Sequence, residues 1–151
     1  MITTSFLAAL SVVFAIWVPQ NRSEFVEAVA AGKGATKMET LTVGRSLDQV
    51  FATLEEKSAE CLDVLVERTG YVGYVEVSSS DYNPTLERTG EDSAAFTLQV
   101  EHRPRGVGHQ PPQGGLYVMA ADLKAVDAGR TEVVLYRPTI GFKTISTSFK
   151  A

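Results

Sequence analysis

The chain has a single cysteine, Cys61. One thiol excludes an intramolecular disulfide framework and any metal site built on clustered cysteines. Histidine is almost as scarce: His102 and His109 are the only two, and they bound a loop that holds no carboxylate or thiol between them. A zinc site needs at least three protein ligands, so neither a metal nor another cofactor is expected. Lys and Arg number 14 against 18 Asp and Glu, a net charge of −4, whereas a phosphate-binding surface needs an excess of Lys and Arg, so no nucleic-acid partner is expected. No Gly-x-Ser-x-Gly elbow occurs, and Ser78-Ser79-Ser80-Asp81 has the composition of a turn. The glycines Gly106, Gly108, Gly114 and Gly115 lead into a strand pattern instead of opening a helix, so they do not make a phosphate cradle. Internal repeats and low-complexity tracts are also missing. What remains is a chain of 151 residues, 44% hydrophobic, long enough for one core and too short for two.

Charge is absent from residues 1–18, and Phe6 to Val18 is apolar apart from Ser11. Such a run at the N-terminus reads as an export segment. Thirteen helical residues reach about 20 Å, short of a hydrocarbon core of about 30 Å, which favours a signal peptide. Ala28-Val29-Ala30 supplies small residues for a cut before Ala31. Against cleavage stand the uncharged start, MITTS, and the long polar stretch from Pro19. Counted from Met1, the eighteen uncharged residues are just enough for a tilted anchor with Trp17 at the interface, the alternative to cleavage. Residues 1–30 are therefore expected to be a signal peptide or membrane anchor, and the protein periplasmic or held to the membrane facing outward. Residues 31–37 read as linker, and 38–151 as a single α+β domain.

Within that domain, Met38 to Val43 alternates like a strand. Ser46 and Gln49 form a capping box. Leu47, Val50, Phe51, Leu54, Ser58, Cys61, Leu62 and Leu65 then recur at three- and four-residue steps. The spacing predicts one long amphipathic helix over 46–68, ended by Gly70, with Cys61 an inert member of its apolar stripe. From Tyr71 the period is two. Strands are expected at Tyr71–Ser78, Thr85–Thr89, Ser93–His102, Leu116–Val126 and Thr131–Arg137, with Asp81 to Pro84 as a break. The fold class is an antiparallel sheet of about five to six strands packed on that helix, one sheet face wet. Residues 141–151 place Phe142, Ile145 and Phe149 at helical spacing, a candidate short C-terminal helix weakened by β-branched neighbours.

The loop from His102 to Gly115 is the most unusual stretch, with Arg103, Arg105, both histidines, three prolines and four glycines. A loop of that length in a small domain tends to carry function or to be mobile. Tyr71, Tyr74, Tyr82, Tyr117 and Tyr136 all fall in or beside strands; most simply they pack the sheet, and alternatively they line an apolar cavity. Tyr74, Tyr117, Arg103, Arg105 and His109 are the candidate contact residues.

The order strand, long helix, antiparallel meander and candidate C-terminal helix resembles the helix-grip arrangement of START and Bet v 1-like domains, and also envelope modules akin to the outer-membrane assembly lipoproteins. The resemblance covers residues 38–151 and rests on element order. It implies a curved sheet around a cavity for apolar ligands. The family's gripping helix is C-terminal, whereas the clear helical pattern here is near the N-terminus, and the lipidated cysteine of the lipoproteins is missing. Three functions follow as expectations: a non-catalytic envelope module binding a protein partner or a small apolar ligand, a carrier of lipid or another apolar ligand, and a hydrolase using the 102–115 loop beside Glu101 or Asp122.

Overall fold

The computed structural model describes residues 18–71, 75–103 and 110–139. Eight elements follow in order: helix α1 (Arg22–Ala30), strand β1 (Thr36–Val43), helix α2 (Leu47–Cys61), and strands β2 (Val64–Tyr71), β3 (Val75–Gly90), β4 (Ser93–Arg103), β5 (Leu116–Asp127) and β6 (Arg130–Pro138). The strands form one antiparallel sheet in the order β1-β6-β5-β4-β3-β2. Strands β2 through β6 pair antiparallel in sequence order. α2 carries the chain from one edge of the sheet to the other.

α2 begins where the sequence places it. Ser46 accepts from the backbone of Gln49, and the Gln49 side chain accepts from the backbone of Ser46. Leu47, Val50 and Ser58 are buried, with Phe51, Leu54 and Leu62 packed at the margin, against Ala94, Phe96, Leu98, Met119, Ala121, Leu123, Val133 and Leu135 of β4, β5 and β6. The helix is shorter than expected. It stops at Cys61, and the backbone N–H groups of Leu62 and Asp63 both return to the Ser58 carbonyl. The β-branched run beginning at Val64 loses side-chain freedom in a helix and gains it on a pleated edge, so Val64 to Tyr71 becomes β2 and Gly70 lies inside that strand. Leu65 matched the helical period by coincidence and is exposed. Cys61 is exposed as well, because Ser58 and Leu62 hold the inward positions of the last turn.

The second correction is β3. The expected break at Asp81 to Pro84 lies within a continuous strand of 16 residues. Its first half pairs with β2 and its second with β4, the two ladders overlapping from Ser79 to Tyr82. Proline lacks the N–H of a central strand. Pro84 is tolerated because β2 ends opposite Tyr82, leaving the outer side of β3 free of a ladder partner at Pro84.

Helix α1 occupies the stretch whose sequence reads as a processing region. Asn21 caps it by accepting from the Glu24 backbone, and the helix closes on Gly32, whose φ of 69° lets its N–H reach the Val29 carbonyl. Phe25, Ala28 and Val29, spaced for one helix face, are buried against Ala120 and Tyr136, with Tyr117 and Val134 at the margin. The sheet is thus covered on both sides in its central strands. The face expected to be wet is in part under α1, and Ala95 and Ala120 are buried. The candidate C-terminal helix, residues 141–151, lies outside the described residues.

Candidate functional site

Three places gather polar or exposed apolar groups. The first is the far end of β4. Gln99 Nε2 donates to the carbonyls of Gln113 and Gly115, pinning the returning loop to the strand. Gly115 has φ of +98°, and a Cβ there would meet the Val100 carbonyl oxygen at 2.3 Å, so only glycine allows this approach. The pinned loop leaves a cleft of about 240 Å³ between Glu101 and His102 on one side and Gln110 to Gly114 on the other. His102 Nδ1 and Ser80 Oγ, from opposite positions of β4 and β3, are hydrogen-bonded at 2.9 Å.

The candidate contact residues are not gathered there. Arg103 ends β4 opposite Ser79 and is exposed. Tyr117 stacks on Phe25 of α1, ring centroids 5.8 Å apart. Neither lines the cleft. Tyr74, Arg105 and His109 lie outside the described residues. Asp122, the alternative acid to Glu101, is also absent from the cleft lining. It is bonded to Arg22 of α1 at 2.6 Å, while Arg22 donates further to the Ala121 carbonyl and to Thr97. The Asp122 carboxylate thus helps fasten α1 to the sheet.

Tyr136 belongs to this fastening. Burial first, and then the charge of and hydrogen bond to Asp122, raise its phenol above the ordinary value of 10.0. A raised folded value means that the neutral phenol is favoured by folding; its contribution is complete below pH about 10 and is lost as pH rises through the folded value. The phenolate absorbance of Tyr136 is therefore expected to appear above the ordinary tyrosine value in an alkaline titration, and to be missing from Tyr136→Phe. Unchanged titration curves would contradict this assignment.

The second place is a cleft of about 470 Å³ where α2 begins, lined by Asp48, Arg88, Glu91, Asp92 and Asp127 among others. Its charges are largely matched locally. Arg88 bonds Asp48 and lies 4.6 Å over the Phe51 ring, and Asp127 bonds Arg130 and the Gly129 backbone, which hold its carboxyl below the usual range. Among the described residues no group of three or more His, Cys, Asp or Glu comes together to hold a metal.

The third place was missed by periodicity. Large exposed hydrophobic residues among those described are Met38, Val64, Leu65, Val66 and Val126, and three of the five are consecutive on β2. The legible signal was the β-branched pair flanking Leu65, which argues for a strand as soon as the helix is allowed to end. No family model, curated protein or solved structure matches the chain. Among the described residues no helix is long and apolar enough to cross a membrane.

Proposed function

We propose that the chain is a non-catalytic module of the cell envelope, tethered through residues 1–18, whose role is to bind a protein partner along β2. The carrying observation is where apolar surface is and is not covered. The interface between α2 and the sheet is filled by side chains such as Phe96, Leu98, Met119 and Leu135, all buried, and the two clefts described above are lined mainly by polar residues. Among the described residues, three of the five large exposed hydrophobic side chains collect on the edge strand instead. A filled core favours interaction over carriage, since a carrier needs a largely apolar hollow.

The tether is drawn from α1. A cut after Ala30 would remove Phe25, Ala28 and Val29 from the sheet along with the Arg22 bonds, exposing Ala120 and Tyr136. Retention of residues 1–30 keeps the fold whole, and only Pro19 to Asn21 separate the apolar run from α1. N-terminal sequencing of the native protein tests this half of the reading; a start at Ala31 sinks it.

The carrier reading keeps one supporting observation, the order of a strand, a helix and then an antiparallel meander, on which the helix-grip resemblance rests. A photo-crosslinking residue at position 65 in the native envelope, together with native mass spectrometry of the purified protein, separates the two. A protein adduct at 65 without co-purifying lipid supports partner binding. Lipid without an adduct supports carriage.

A further inference from the structure

The peptide bond between Ala30 and Ala31 follows the small residues Ala28 and Ala30, the spacing a signal peptidase reads, and it lies at the C-terminal end of α1. Peptides are taken up as extended strands, with backbone N–H and C=O groups free to pair and alternate side chains in separate pockets. The docked helix meets neither condition. The N–H of the bond itself, on Ala31, donates to the Glu27 carbonyl at 2.9 Å, and the carbonyls of Ala28 and Val29 accept from Lys33 and Gly32 at 2.9 and 3.0 Å. Ala28 is 7% exposed, and Val29, 3% exposed, packs with Phe25, Ala120 and Tyr136. We propose that this bond is a latent processing site: the chain stays tethered while α1 is docked, and undocking of α1 opens the bond to a small-residue-specific peptidase, which releases the domain from Ala31 onward. The inference rests on the reading of residues 1–18 as a tether and names the event that ends the tethering.

Docking and masking are one event. A helix of nine residues is too short to persist alone in water, so α1 unwinds when it leaves the sheet. Two sets of contacts hold it there. Phe25 and Val29 supply the apolar face, and Arg22, nearer the start of the helix, donates to the Ala121 carbonyl, Asp122 and Thr97. On the other side of the bond, Ala31 to Ala35 are exposed and belong to no helix or strand, so β1 need not open for the bond to be reached. Cleavage through a local opening follows the population of the open form when reclosing is fast. Weakening the dock at a residue remote from the bond therefore speeds the cut.

Purified full-length chain in detergent is incubated with signal peptidase, and the product beginning at Ala31 is followed by intact mass and N-terminal sequencing. Phe25→Ala and Arg22→Ala leave Ala28 to Ala31 untouched and weaken the apolar and the polar contacts respectively. Both are expected to give that product faster than the native chain, Phe25→Ala at least about tenfold faster. Ala30→Tyr, at an exposed position, should abolish the cut when added to Phe25→Ala, because the peptidase needs a small side chain there. Should Phe25→Ala fail to fold, Arg22→Ala against the native chain decides alone. Equal rates in the native chain and the variants, or no product beginning at Ala31 from any of them, overturn the inference and leave the tether reading standing. Protein isolated from its native envelope already starting at Ala31 overturns both.

Discussion

Replacing Phe25 and Val29 together by alanine is expected to lower the unfolding free energy by about 3–5 kcal/mol. Phe→Ala in a packed site alone costs about that much, and deleting the valine methyls adds to it. The sum does not grow without limit, because α1 is a peripheral helix. Once docking becomes unfavourable, α1 leaves the sheet and the cost stops at its docking free energy. Two readouts distinguish this from general loosening of the core. The urea m-value should fall, because less surface remains to be exposed on unfolding. The near-ultraviolet signal of Tyr117, which stacks on Phe25, should change even where the fold persists. An unchanged midpoint and m-value would mean that α1 contributes nothing to the domain.

Phe96→Ala is expected to cost about 3–5 kcal/mol as well, by a different route. Phe96 is completely buried on β4, a central strand, with Leu86 of β3 and Ala121 of β5 as its ladder neighbours. No peripheral element can undock to relieve the void, so the loss falls on the whole cooperative unit. Against a total of about 5–15 kcal/mol, this leaves a chain marginally folded at 37 °C. The m-value should hold while the midpoint drops. Glu55→Ala, on the exposed face of α2, should stay within about 0.5 kcal/mol of the native protein and serves as the control.

Local chemistry made much of the fold legible in advance. The Ser46 capping box, the stripe from Leu47 to Leu54 and the alternation from Ala94 to Val100 each depend on neighbours within a few residues. The structure places each of them where that chemistry points. The last three strands likewise begin and end within a residue or so of their turn signals. The failures have a common cause. Leu65 continued the helical period, and Pro84 looked like a break. In both cases the outcome depended on a partner distant in sequence: β3 alongside Val64 to Tyr71, and the end of β2 before Pro84. The candidate site was legible only as a loop of unusual composition. Gln99 and the close approach of Gly115 to Val100 position its end, and neither contact has a signature in sequence spacing.

By itself, then, the sequence determined the class of fold, one antiparallel sheet with an amphipathic helix against it, because periods of two and 3.6 reflect which face of each element must leave water. It also excluded an intramolecular disulfide, because a single cysteine cannot form one. Tertiary structure alone decided that α1 packs against the sheet, that α2 yields to β2 at Cys61, and that Val64, Leu65 and Val66 come to lie on an edge strand. Strand pairing and helix docking are contests between distant segments, settled by the total area and hydrogen bonding they bring together, and no local window of sequence contains both contestants.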